Sequence, residues 1–388
     1  MKIIDQVKEV LNRFKEGYLK EDLDQLDSFM EDLFIDDDQL FILGTGDGEL
    51  CLGYEESKEL VEGDWKYWGL VQIDADNANI YTRDDIAWFE MDATVRYTFK
   101  SNESEYKRYL NIIKEDLEVE GKSTKEKLTQ VGWVMTHAFF DREDKERVYD
   151  WPLKISGVLT REENQLKFAQ MQFVVPKSGF PDGRYTSEDA YRKSYQKILN
   201  KFGKYQNSQQ SDELKEVMAG FEKEWANPNQ GDFGSFVEKY FALKESPYLI
   251  DPDNNCYREK DELIENLPQV CQHFENISFD SDKLLISSGE EVAWITTVGL
   301  NHKAIKEEKL LNQELEKFIQ IAEGEDNYKD RLFEIQKGIS EALMETAKGE
   351  EFYWPFRFNA ILIKENGNWK FHNIHLSYSY IWILEGKF

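Results

Sequence analysis

Apolar residues open the chain at helical spacing. Ile3, Val7, Val10, Leu11, Phe14 and Tyr18 fall three or four positions apart, the period that puts side chains on one face of an α-helix. Leu214, Val217, Met218, Phe221 and Trp225 repeat the pattern in the second half. A second short helix is predicted by Leu23, Leu26, Phe29 and Met30, with Asp22 as its cap. A hairpin-like segment follows, then a third helix from about Tyr54, or from Tyr257 in the second half. After it the pattern predicts long strands: Ile86 to Phe99 and Val292 to His302, Trp151 to Leu159 and Trp354 to Ile363, Leu166 to Val175 and Trp369 to Tyr378. Asn366-Gly367 supplies the positive φ angles of a tight hairpin before the last of these.

The halves also match in sequence. "VKEVLNRFKEGY" from Val7 aligns with "LKEVMAGFEKEW" from Leu214, and Phe41-Ile-Leu with Tyr248-Leu-Ile. "IAWFEMDATVRYTF" from Ile86 aligns with "VAWITTVGLNHK" from Val292, and "WPLKISGVL" from Trp151 with "WPFRFNAIL" from Trp354. Four anchors in one order, 203 to 207 residues apart, are the signature of an internal repeat. Between the first two long strands each half carries a polar, helix-favouring insertion. The connection between halves begins with Pro and Gly and ends with Gln and Ser. Thr186 and Asp189 form a capping pair before Tyr191, Ile198, Leu199 and Phe202. The boundary is expected near Tyr205, dividing the chain into 1–205 and 206–388.

A length of 388 residues suits two hydrophobic cores, and 40% hydrophobic residues with 14% aromatics supply the area to bury. A formal charge of −28 opposes phosphate backbones and anionic lipid surfaces, so neither nucleic acid nor a membrane is an expected partner. Cys51, Cys256 and Cys271 make no CxxC or CxxH pattern, so reduced structural thiols are expected and no zinc site. The N-terminal "MKIIDQVKEVLNRF" has no signal-peptide core and no apolar run is long enough to span a bilayer, which makes the cytoplasm the expected compartment.

"GTGDGE…GYEE…DWKYW…IAWFEMDATVRY" in the first half resembles the SnoaL-like branch of the nuclear transport factor 2-like superfamily, and "NWKFHNIHLSYS" in the second is similar to that branch's Trp-rich last strand. The resemblance implies an α+β chain: two tandem cone-shaped domains, each with helices packed on a curved, mostly antiparallel sheet, plus a helical insertion in each. Such cones often pair sheet to sheet, so an intramolecular pseudo-dimer is expected; further oligomerisation is left open. The second half has "DPDNNC" in place of the Gly-rich turn, and the first half has Gln172 and Val174 in place of His375 and Ser377.

Three motifs carry candidate chemistry. "GTGDGE" lacks the third glycine of a dinucleotide fingerprint and puts Glu49 where phosphates would sit, so it reads as a strand-to-strand turn. Asp251, Asp253, Asn255 and Glu262 hold calcium-loop positions, but Cys256 replaces the required glycine. Neither a metal nor a cofactor is expected.

Along Ile86 to Thr98, Ala87, Phe89, Met91, Ala93, Val95 and Tyr97 alternate with Trp88, Glu90, Asp92, Thr94 and Arg96. The apolar face should meet the helices and the polar face should lie outside the cone. If the faces reverse, Glu90 or Asp92 becomes a pocket carboxylate of raised pKa, suited to proton transfer. His375, on a face read as shared with Phe371, Asn373 and Ser377, is the remaining catalytic candidate. A cone that binds an apolar ligand needs aromatic lining, for which Trp65, Trp68, Tyr97, Trp151, Trp294 and Trp354 are the candidates.

The functional expectation is a non-enzymatic protein that binds a small apolar ligand or acts as a scaffold. Two alternatives stay open. One is a ketosteroid isomerase-like or polyketide cyclase-like enzyme working through a carboxylate or His375, as the resemblance implies; the other is a protein-interaction adaptor that uses the helical insertions.

Overall fold

In the computed structural model, all residues are described except 1, 47, 101–102, 141–145, 177–195, 199, 204, 206, 208–210, 226–231, 275–276, 280–282, 348 and 380–388. The predicted Thr186–Asp189 cap lies outside the described residues. Helix α1 (Ile3–Lys20) buries Val7, Val10, Leu11, Phe14 and Tyr18, each contributing about 1.5–3 kcal/mol of transfer free energy. Asp22 caps the next turn by accepting from the Asp24 backbone N–H at 3.1 Å. Then come α2 (Leu26–Leu33), β1 (Phe41–Leu43), β2 (Leu50–Leu52) and α3 (Gly53–Tyr67). Gly53 opens α3 at φ +80°, where a side chain would be strained.

β3 (Leu70–Ile73), β4 (Asn79–Arg83) and β5 (Ile86–Lys100) precede the helical insertion α4 (Glu103–Glu118) and α5 (Thr124–Phe140). The long strands β6 (Glu146–Glu162) and β7 (Gln165–Val174) complete the half. The first sheet runs β2-β1-β7-β6-β5-β3, with β4 also on β5. Its pairings are antiparallel except that β1 runs parallel to β7.

In the second half, α6 (Ser211–Trp225), α7 (Phe233–Tyr240), β8 (Tyr248–Ile250), β9 (Cys256–Arg258) and α8 (Glu259–His273) lead to β10 (Ile277–Phe279), β11 (Leu285–Ser288) and β12 (Val292–Ala304). The insertion α9 (Glu307–Glu323) and α10 (Tyr328–Ala347) follows, then β13 (Glu351–Glu365) and β14 (Asn368–Tyr378). Its sheet, β9-β8-β14-β13-β12-β10 with β11 on β12, has the strand order of the first, and β8 is again parallel to β14.

Asn366 (φ 53°) and Gly367 (φ 80°) make the predicted β13–β14 hairpin. The equivalent turn of the first half uses Glu163 (φ 48°) and Asn164 (φ 70°) without a glycine, which is why the sequence pattern did not mark it. Among the described residues no helix is long and apolar enough to cross a membrane.

Both last strands carry a β-bulge. Pairing shifts between Val158 and Leu159 opposite β7 and between Ile361 and Leu362 opposite β14, which skips Ala169 and His372. The extra residue resets the inside–outside alternation. Phe371 therefore packs in the second-half core, while Asn373, His375 and Ser377 face the other way. The expected shared face of Phe371 and His375 is corrected by that bulge.

Each core lies between its helices and one face of its sheet. The first is filled with rings: Phe14 sits 4.8 Å from Tyr18 and 5.3 Å from Phe168, and Phe29 lies 4.9 Å from Trp65. The opposite faces of the two sheets meet along a seam whose apolar part is built on Trp88, Val158, Val292, Ile361 and Ile363. Phe202, from the connecting segment, packs with Phe41, Leu43, Leu285 and Val298 of both halves.

Gly157 lies on β6 between Phe89 of β5 and Met171 of β7. A Cβ there would stand 2.6 Å from the Gln170 carbonyl oxygen and 2.9 Å from the Phe89 ring, and backbone cannot move aside cheaply. Gly157→Ala should destabilise the protein by about 2 kcal/mol, read from the urea midpoint at unchanged slope.

Candidate functional site

The polar side chains of β5 converge on the seam. Ala87, Phe89, Met91, Ala93, Val95 and Tyr97 lie in the first-half core, which sends Trp88, Glu90 and Asp92 to the opposite face. Glu90 is only 2% exposed. Its Oε1 accepts from Asn79 Nδ2 at 2.6 Å and from the Arg258 guanidinium of the second half, and its Oε2 from Lys154 Nζ at 3.4 Å. Arg258 also donates to Tyr81 Oη at 3.0 Å and lies over the Tyr248 ring. Lys154 reaches Asp92 at 2.6 Å, whose own side chain is 76% exposed. Burial opposes the Lys154 charge, but the Asp92 hydrogen bond and the charges of Glu90 and Asp92 outweigh it and raise its pKa. Glu90 is thus anchored at a contact between halves, and Asp92 by Lys154 of its own half.

His375 sits at the same seam. Its Nδ1 is 3.2 Å from Ser156 Oγ of the first half, and burial, aided by the Lys154 charge, pushes its pKa down to about 3. His372 Nδ1 accepts from the Trp88 indole at 3.1 Å, and burial lowers its pKa to about 4. Ser377 accepts from Gln172 Nε2 at 3.0 Å, and Gln172 Oε1 accepts from Asn359 Nδ2 at 2.9 Å. The void that His375 lines with Ser156, Gln170, Asn359 and Asn373 measures about 10 Å³, room for about one water.

The Gly-rich turn belongs to the seam as well. Glu49 folds back so that its carboxylate accepts from the Gly46 N–H at 2.6 Å, and Gly44 N–H donates to the Glu49 carbonyl at 2.9 Å. The Gly44 and Gly46 carbonyls accept from the Arg357 guanidinium of the second half. At the corresponding turn of the second half, the Asp251 carboxylate accepts from Asp253 N, Asn255 N, Asn255 Nδ2 and Tyr257 Oη, all at 2.9–3.0 Å. Both its oxygens are engaged by the loop itself.

The aromatic candidates are not gathered at one place. Trp65, Trp68 and Tyr97 belong to the first-half core, and Trp151 packs against Tyr97 at 5.7 Å on its margin. Trp294 lies at the seam, and Trp354 is buried on β13. Trp65 lines a cavity of about 260 Å³ between α1 and α2, with Phe29 and Leu33 on its floor and Arg13 and Asp32 at its rim. A larger cavity of about 610 Å³ lies in the second half. Val270, Phe274 and Ile305 give it apolar surface, and Asp251, Asp253, Gln272, Lys303 and Lys309 give it polar surface. Its lining comes from a loop, the end of α8, the end of β12 and the start of α9, which no linear motif ties together. Burial pushes the Cys51 and Cys271 thiols up to about 12, so they stay protonated at neutral pH.

Residues 7–113 match the family model described as a SnoaL-like domain. The first half carries a SnoaL-like domain. No curated protein matches the chain. Among solved structures, the chain is similar to a nuclear transport factor 2-like superfamily protein from Salmonella enterica serovar Typhimurium LT2, at 12% identity and TM-score 0.28, over 47% of this chain and 96% of that one. It is also similar to a nuclear transport factor 2-like protein from Cytophaga hutchinsonii, at 11% identity and TM-score 0.26, over 45% and 99%. A protein with a cystatin-like fold from Nostoc punctiforme matches at 12% identity and TM-score 0.25, over 45% and 90%. The match to the SnoaL-like model covers α1 to most of α4 and takes in Glu90, Asp92, Trp65, Trp68 and Tyr97. His375, Trp151, Trp294, Trp354 and the 610 Å³ cavity lie beyond it.

Two outcomes follow from the seam. Arg258→Ala leaves buried Glu90 without its guanidinium and should cost about 3 kcal/mol, measured by urea unfolding at pH 7. Both histidines titrate lower in the folded protein than the ordinary value of about 6.5, so the unfolded chain takes up protons first as the pH falls. Stability held above pH 6.5 should be lost progressively as the pH falls, down to about 4 for the His372 contribution and about 3 for that of His375. Unfolding at pH 7 and pH 5 measures that slope, and His375→Gln should flatten it.

Proposed function

We propose that this protein is a non-enzymatic binding protein in which two copies of one SnoaL-like domain are fused as an intramolecular pseudo-dimer. The common strand order of the two sheets supports the repeat, and the contacts from Trp88, Glu90 and Gln172 to the opposite half support the pairing. The observation that carries the binding reading is the fate of the proton-transfer candidates. Glu90 and His375 are engaged at the seam, and His375 opens onto a void of only about 10 Å³. Proton transfer needs a group within hydrogen-bond reach of a bound substrate, and neither group offers one.

The ligand site is the cavity of about 610 Å³, within the range that holds a small organic molecule. Its lining sets Val270, Phe274 and Ile305 among Asp251, Asp253, Gln272, Lys303 and Lys309, which suits a compact ligand with a small apolar body and several polar groups. Titration with 8-anilinonaphthalene-1-sulfonate should give saturable fluorescence enhancement at one site, and Val270→Trp, which fills the cavity, should abolish it. Binding that persists in Val270→Trp, or no saturable binding, would overturn the assignment.

The same cavity favours one second reading. Asp253, Lys303 and Lys309 are ionisable groups that line it, so an isomerase-like enzyme would work through them and not through Glu90, Asp92 or His375. That reading requires turnover of an enolisable ketone that Asp253→Asn and Lys303→Met reduce by at least about a hundredfold.

A further inference from the structure

The two helical insertions leave their sheets and meet each other. α4 packs on α5, α5 on α10 of the second half, and α10 on α9, forming a row in the order α4, α5, α10, α9. Tyr109, Trp133 and Val134 form the α4–α5 contact. Thr136 Oγ1 lies 3.1 Å from Ser340 Oγ between α5 and α10. Gly338 of α10 lies against Phe318 of α9, where a Cβ would come within 2.5 Å of the ring. Lys125 at the start of α5 is 3.8 Å from Glu307 at the start of α9. Since α9 and α10 form a hairpin, that contact brings the start of α5 to the end of α10 and makes α5 and α10 antiparallel, like the helices within each hairpin.

Each helix of the row exposes an apolar stripe. On α10, Leu332, Ile339 and Leu343 are 68%, 46% and 44% exposed and fall within a narrow arc at about 100° per residue. The arc lies midway between Ser340, which meets α5, and Gly338, which meets α9. Leu128 on α5, Leu110 on α4 and Ile319 on α9 are likewise exposed. Leu128 sits about a quarter turn from Thr136, Leu110 from Tyr109 and Ile319 from Phe318, each of which touches the neighbouring helix. Because neighbours run antiparallel, stripes offset in the same rotational sense from their contacts emerge on the same side of the row. The result is one apolar face four helices wide, far beyond the scattered exposed leucines of an ordinary surface.

We propose that this face docks a second copy of the chain, helix row against helix row. Its size is sufficient: four helices about 10 Å apart, the shortest of them about 24 Å long, offer about 900 Å², against about 800 Å² per partner in a stable interface. Charge selects the second copy as occupant. Lys107 and Lys114 of α4 lie along the apolar stripe at one edge of the face, and Glu308 and Glu323 of α9 along it at the other. A two-fold axis parallel to the helices lays α4 of one copy over α9 of its partner, so each basic edge meets an acidic one. An isologous pair of this kind closes on itself.

Sedimentation equilibrium of the full chain, run from sub-micromolar to high micromolar concentration, tests the assignment. The wild type should associate to a dimer, and Leu332→Glu with Ile339→Glu should be monomeric with an unchanged far-UV circular dichroism spectrum. Lys107→Glu with Lys114→Glu should weaken dimerisation by about tenfold or more, and adding Glu308→Lys with Glu323→Lys to the same chain should restore it. The rescue keeps the test sound should the leucine and isoleucine variant fail to fold. A wild type that stays monomeric throughout, or a dimer that neither set of substitutions weakens, would overturn the proposal.

Discussion

The two halves are joined by an ion pair between buried Glu90 of the first and half-buried Arg258 of the second. Glu90 is 2% exposed, and a carboxylate held that far from water is tolerable only with cations and hydrogen-bond donors around it. Asn79 and Lys154 come from its own half and Arg258 from the other. The apolar contacts of the seam add area, but the guanidinium fixes register: sliding one sheet over the other by one residue would leave the carboxylate with only the partners of its own half. Around this point Tyr81, Tyr248, Trp88 and His372 stack at centroid distances of 4.5–6.0 Å, so polar specificity and apolar packing reinforce one another.

With one face of each sheet committed to the seam, the open space in each half lies elsewhere. In the first half the space between helices and sheet is filled by Phe14, Tyr18, Phe29 and Phe168, and a cleft of about 260 Å³ lies between α1 and α2. The larger cavity of the second half opens where the sheet gives way to the helical insertion. The cavity and the insertion are therefore neighbours, because both lie at the end of β12.

Much of this architecture was legible in the sequence. Helical spacing marked the buried face of α1, and strict alternation assigned both faces of β5, because a strand half-buried against helices cannot hide its period. Asn366-Gly367 marked its hairpin, whereas Glu163-Asn164 did not, since positive φ at a glutamate leaves no sequence signal. The bulge at His372 was equally silent, and it moved Phe371 to the opposite face from His375. Least legible were the partners across the seam: nothing near Gly44 in sequence points to Arg357, and nothing near Glu90 points to Arg258. Contacts between halves depend on how two sheets are laid together, and no local period encodes that.

The seam is asymmetric although the two sheets share one strand order. By sheet register, the position of Glu90 in the first half is held by Thr296 in the second, and that of Arg258 on β9 by Leu52 on β2. Gln172 faces Ser377 rather than another glutamine. A homodimer must oppose every residue to itself or to a symmetry-imposed partner, so a favourable charge pair always appears twice. Here it appears once, and either half paired with its own twin would set Glu90 against leucine or Arg258 against threonine. The two faces of the seam are complementary to each other and not to themselves, so a change on either must be matched by one on the other.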